Sequence, residues 1–150
     1  MPKEKTSSIL AGISGEYFVA GELSRRGWIA SLTLRNTRGV DILAKHEGAN
    51  RSVGVQVKTS SGRNPKWILN KKAETMTDPT VFYAFVRLMN GDTPRIHIVP
   101  SAVVAEHTER THREWLGQTS KSGKPHKDSA IRNFRDIDEQ YLDDWDALLE

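Results

Sequence analysis

The stretch Gly54-Val55-Gln56-Val57-Lys58-Thr59 alternates apolar and polar side chains, the pattern of a half-buried strand. Val55 and Val57 take one face, while Gln56 and Lys58, an amide and an ammonium, take the other. A second alternating run places Val40, Ile42 and Ala44 on one face and Asp41 on the other. If the two runs form an antiparallel hairpin with its loop at Gly48 to Arg51, Glu47 faces Ser52 and Asp41 falls directly opposite Lys58. Gln56 is then a diagonal neighbour on the same face. An odd-length loop would turn Lys58 away from Asp41. Two carboxylates, Asp41 and the upstream Glu16, join the carbonyl oxygen of Gln56 as hard donors suited to Mg²⁺ or Mn²⁺. A metal-bound water of lowered pKa could then attack a phosphodiester. Lys58 could orient that water and stabilise the charge that develops.

Each acid also has a plainer reading. Asp41 follows an Asn36-Thr37-Arg38-Gly39 turn and could simply bond backbone amides there. Glu16 lies in a helical segment whose Ile9, Ile13, Tyr17 and Ala20 line one face. It falls on the flank of that face, about 40° from its centre at roughly 100° per residue. Glu22 lies on the opposite, solvent side. A carboxylate turned toward a core is costly unless paired or metal-bound; an edge Glu that reaches water or pairs with an Arg is the alternative.

The elements that must position these residues are legible in outline. Ser8 to Arg26 reads as a helix, with Thr6, Ser7 and Ser8 as candidate caps and Gly27 as its terminator. Gly12, Gly15 and Gly21 point to close packing of that helix on a sheet. Trp28 to Thr33, Val40 to His46 and Val53 to Thr59 read as strands, and Trp67 to Leu69 as a short one. Thr80 to Leu88 is the most apolar strand and is expected at the centre, with Arg95 to Val99 as its hairpin partner across Asn90-Gly91-Asp92. A helix from Ser101, as N-cap, to about Leu116 follows. Gly117 to Asp128 reads as a basic loop, and Asp138 to Leu149 as a final helix. The order implies one α+β, or mixed α/β, domain over residues 1–150. A core region of about 8–100 is followed by a helical part of about 101–150.

At 150 residues the chain has room for one real core. It has no cysteine, which excludes disulfides and thiolate chemistry. No apolar run is long enough for a membrane span, and MPKEKTSSIL lacks a signal-peptide core, so a cytoplasmic protein is expected. The net charge of +3 permits nucleic-acid binding without requiring it. Basic residues concentrate between Arg110 and Arg135, whereas Asp136 to Glu150 carries only acids.

In Gly15-Glu16, Arg26-Gly27-Trp28, Gly39-Val40-Asp41 and Gln56-Val57-Lys58-Thr59, residues 12 to 62 resemble the PD-(D/E)xK nuclease superfamily. The similarity is to its Holliday-junction-resolvase-like and Mrr-like endonucleases. The resemblance implies a restriction-endonuclease-like core, with a central four- to five-stranded mixed sheet flanked by helices. It implies Asp41 and Gln56 as metal ligands, Glu16 as a direct or water-mediated ligand, and Lys58 as the catalytic lysine. Mg²⁺ would be the cofactor, with Mn²⁺ able to replace it. Val40-Asp41 stands where Pro-Asp is usual. Gln56 replaces the commoner acid, as in Mrr-like nucleases, which removes a negative charge from the site. Beyond residue 80 the resemblance continues through Phe82 to Val86, Val99-Pro100-Ser101 and a Trp near the C-terminal end, and there it implies the core alone.

Other residues carry weaker signals. Arg38, Arg63, Lys121, Lys124 and Lys127 could meet backbone phosphates, although basic loops are also common on proteins that bind no nucleic acid. His46, His97, His107, His112 and His126 are scattered, and His107 and His112 miss helical metal spacing. Trp28, Trp67, Trp115 and Trp145 read first as core, with weak stacking potential at Trp67. The expected function is metal-dependent cleavage of nucleic acid, DNA above all, by a homodimer if the substrate is two-stranded or branched. The rivals are a nuclease-like fold that only binds nucleic acid or protein, and a purely structural domain.

Overall fold

The computed structural model describes residues 6–34 and 39–150. Helix α1 spans Ser8–Arg25, and strands β1 Trp28–Leu32, β2 Ile42–His46 and β3 Ser52–Ser60 follow. Then come β4 Trp67–Asn70, a 3-10 turn Lys71–Thr75, β5 Val81–Arg87 and β6 Arg95–Pro100. Helix α2 Ser101–Leu116, β7 Ile131–Phe134 and a 3-10 turn Trp145–Leu149 complete the chain.

Helix α1 begins where the sequence supplies a cap, since Ser7 Oγ accepts the Leu10 N–H at 3.2 Å. It ends before Gly27, whose φ of +91° is the left-handed conformation that terminates helices. Its buried stripe is Ala11, Gly15, Val19 and Leu23. The expected face is not the core face, because Ile9 and Tyr17 are 64% and 63% exposed. Gly15 explains the rotation. A Cβ placed there would lie 1.9 Å from Thr59 Oγ1, so the bare helix backbone seats directly on β3.

The main sheet has the order β1-β2-β3-β5-β6, with β3 in the middle and β5 beside it. The expected centre is thus displaced by one strand. β1–β2, β2–β3 and β5–β6 are antiparallel, while β3–β5 is parallel. A parallel neighbour needs a crossover; here residues 61–80 supply it and carry β4 and a 3-10 turn. β4 pairs with β7 in a separate two-stranded ribbon. Val19 and Leu23 of α1 pack with Val55, Val57 and Ile42 on one face of the sheet. Trp67, Leu69, Tyr83, Phe85, Val104 and Phe134 form the core on the other. This is the expected α+β architecture with a mixed five-stranded sheet.

The C-terminal third departs from expectation. Pro100 occupies the N-cap position of α2, and Ser101 Oγ instead donates to Asp78 O at 2.7 Å. Strand β7, Ile131–Phe134, is not among the strands that the sequence pattern predicts. The expected helix over Asp138 to Leu149 is interrupted by Glu139 and Asp143, with φ of 53° and 54°, and only its last five residues form a 3-10 turn. Asp136 ties this segment to the sheet. Its Oδ2 lies 2.8 Å from His97 Nδ1, and its two oxygens accept the Gln140 and Tyr141 N–H groups. Trp28, Trp67 and Trp145 are buried as expected, but Trp115 is exposed. Among the described residues, no helix is long and apolar enough to cross a membrane.

Candidate functional site

β2 and β3 are paired from Lys45↔Ser52 to Ile42↔Val55. Six residues, an even number, separate the paired Lys45 and Ser52, so face parity is kept. The register is nonetheless displaced by two residues from the expected one. Asp41, one position beyond the last pair, falls beside Gln56, and Lys58 lies one same-face step further along β3. The displacement arises because the turn closes on His46 and Arg51, with the His46 N–H donating to Arg51 O at 2.9 Å and its Nδ1 accepting the Gly48 and Ala49 N–H groups.

At Asp41 the ladder ends. The Asp41 N–H still donates to Val55 O at 2.9 Å, but the next β3 donor, Val57 N–H, is taken by the Asp41 carboxylate, at 2.7 Å to Oδ2. A side chain thus replaces the departing strand as hydrogen-bond partner. The carboxylate lies in the plane of the sheet, at the fork where β2 leaves β3. Gln56 and Lys58 extend from the face opposite α1. They line a cavity of 640 Å³ with Gly39, Asn70, Lys72, Met76 and Tyr83, among others. Glu16 is on α1, next to Gly15, the residue that seats the helix on Thr59 of β3. Neither Glu16 nor Asp41 is part of the cavity wall.

Two wall residues escaped sequence reasoning. Tyr83 pairs with Gln56 across the parallel β3–β5 ladder. It is 2% exposed, and burial raises its phenol pKa above the usual 10.0. Lys72 adds a second ammonium, on the 3-10 turn that Asn70 caps by accepting the Lys72 N–H. The apolar run around Tyr83 marked it only as core, and Lys72 had no motif to reveal it.

The donor set fits a hard divalent cation, as it consists of carboxylate and amide oxygens with no sulfur. Among the described residues no three His, Asp or Glu side chains gather as a metal site.

The expected phosphate contacts are dispersed. Arg38 lies outside the described residues. Arg63 is on the exposed loop after β3, where its carbonyl accepts Arg87 Nη2 at 2.9 Å. Lys121, Lys124 and Lys127 are exposed on the loop after α2, which the Thr119↔Pro125 bridge folds back on itself. Trp67 cannot stack on a base, because it is 2% exposed and donates Nε1–H to Val86 O at 2.9 Å.

No protein-family model matches the chain, and no curated protein matches its sequence. Solved structures do. A bacterial homing endonuclease, I-Ssp6803I, aligns over 97% of this chain and 93% of its own, with a TM-score of 0.56 at 14% identity. Hjc, a Holliday junction resolvase from Archaeoglobus fulgidus, aligns over 87% and 88%, with a TM-score of 0.49 at 12% identity. The likeness to the homing endonuclease extends over nearly the whole of both chains, so this chain shares its fold, an α+β architecture of restriction-endonuclease-like type.

Proposed function

We propose that the chain is a metal-dependent endonuclease that hydrolyses phosphodiester bonds of DNA. One observation carries the reading. Asp41, Gln56 and Lys58 gather where β2 parts from β3, in a domain with an endonuclease fold. Asp41 and Gln56, with Glu16 directly or through water, would hold Mg²⁺ or Mn²⁺. When bound, the ion supplies Lewis acidity and a water of lowered pKa.

The chain's own groups do the rest. The Val57 N–H fixes one Asp41 oxygen and so restricts how the carboxylate can turn. Lys58 places a cation at the cavity wall to stabilise charge developing on the phosphate. Lys72, also in the cavity wall, adds a second cation for the phosphate, and Tyr83, kept protonated by burial, offers a neutral donor. On a two-stranded substrate a homodimer would present one site to each strand.

Cleavage of linear, nicked, single-stranded and four-way-junction DNA in Mg²⁺ and Mn²⁺ tests this reading, with Asp41→Ala and Lys58→Ala beside wild type. Cleavage that both substitutions abolish while the fold persists supports it. The presence of Gln56 in place of an acid favours a second reading, a binding module with the same fold. Salt-sensitive DNA binding without cleavage under any of these conditions would establish that reading instead.

A further inference from the structure

A second cavity, of 390 Å³, lies between α2 and β7 and plays no part in the site above. Its wall includes His107, His112, Trp115, Asn133 and Arg135. Trp115 is 37% exposed, unlike Trp28, Trp67 and Trp145, which lie between 2% and 6%. Trp115 stacks with two histidine rings. Trp115 lies 5.6 Å from His112 at 28° between planes, and 4.1 Å from His126 at 22°. His126 is on the loop that carries Lys121, Lys124 and Lys127.

The nearby cations divide into two groups. Arg110 and Arg113 are engaged by Glu106, Glu114 and Glu109 along α2, and Arg132 by Glu74. Lys121, Lys124, Lys127 and Arg135 are exposed, and no carboxylate pairs with them among the described residues. A stack that presents Trp115 at the surface, with unpaired lysines on the loop of His126 and Arg135 in the cavity wall, has the chemistry of a single-strand platform, in which bases stack and phosphates meet cations.

The position of the cavity strengthens this. Leu69 and Asn70 of β4 line the cavity of Gln56 and Lys58, while their partners on β7, Arg132 and Ile131, line this one. Paired strands are about 4.8 Å apart, so the two cavities back onto one ribbon.

We propose that this second cavity binds a single-stranded segment of nucleic acid. One base continues the Trp115–His126 stack, and the flanking phosphates meet Arg135 and the three lysines. The inference rests on the nuclease reading for its biological sense, since a strand held here passes the candidate catalytic cavity.

The test uses the full chain and an unlabelled oligothymidylate in EDTA, with tryptophan fluorescence as the signal. The other three tryptophans are buried, so a saturable quench reports Trp115. Anisotropy of a labelled oligothymidylate gives affinity independently. Trp115→Ala is expected to weaken binding about tenfold, and Trp115→Phe to restore most of it while losing the quench. Replacing Lys121, Lys124 and Lys127 together by Ala should reduce the salt slope of log K by about 2. Equal affinity in wild type and Trp115→Ala, or no binding by wild type, would overturn the proposal. A quench in a protein that cuts no substrate would refute the nuclease reading and leave this site standing. Cleavage that is indifferent to Trp115 and the lysines, with no quench, would do the reverse.

Discussion

The Asp41 carboxylate accepts the Val57 backbone N–H at 2.7 Å, one residue past the last β2–β3 pair. The acid that would ligate a metal is therefore also the cap on the open end of the central strand. Asp41→Ala removes both functions and is expected to destabilise the fold by about 1–3 kcal/mol. Asp41→Asn keeps an acceptor for Val57, so most of that stability should remain while Mn²⁺ affinity falls. Urea unfolding beside calorimetric titration with Mn²⁺ separates the two effects.

Gly15 sets how closely α1 approaches β3. A Cβ there meets Thr59 Oγ1 at 1.9 Å, so Gly15→Ala should cost about 1–3 kcal/mol by overpacking. Adding Thr59→Ala should recover most of the loss, since the clash is with that side chain and Ala is the better helix former. A thermodynamic cycle over the two positions measures the coupling, and an additive result would refute the contact.

Tyr83 gives the alkaline limb of stability a specific source. Burial raises its pKa in the folded chain above the usual 10.0, so the unfolded chain releases its proton first. Stability should stay level below that value and fall as pH rises from about 10 toward the folded pKa. Tyr141 is raised as well, first by burial and then by Asp136, Asp144 and Glu106. Tyr83→Phe should therefore flatten the decline without abolishing it, as read from urea midpoints across pH 8 to 11.

The buried pair of His97 and Asp136 locks the C-terminal segment to β6. Both side chains are only 4% exposed, and Asp136 also satisfies two backbone donors. Asp136→Ala leaves all three partners without an acceptor and should cost about 3 kcal/mol or more. Asp136→Asn should cost less. Hydrogen exchange should show residues 136–150 opening before the sheet in both variants.

Much of this architecture can be read from local signals, and the misreadings share a cause. Ser7, Gly27 and the alternating runs around Asp41 and Gln56 act within a few residues of chain, and they led to the correct elements. The core face of α1 was misplaced because its key residue is a glycine, which apolar periodicity does not count. The sequence pattern puts Gln56 and Lys58 on a strand correctly but begins β2 at Val40 rather than Ile42, taking in Asp41. It also sets the pairing two residues out of register, because His46 closes the turn with side-chain bonds that strand patterns do not encode. β7 escaped notice because its partner β4 is distant in sequence. Tyr83 and Lys72 join the cavity only through the crossover, which no local pattern announces.

That crossover also governs how the chain assembles. The hairpin of β2 and β3 has low contact order and can form once about sixty residues exist. β5 becomes its parallel neighbour only after the loop of residues 61–80 has closed, and Trp67 waits for Phe134 to emerge. The cavity beside Lys58 draws its walls from β3, from that loop and from β5. The segment that carries Asp41, Gln56 and Lys58 therefore precedes in synthesis every residue of the loop and of β5 that walls the cavity. The candidate cluster and the cavity beside it thus draw on segments that the chain supplies at different times.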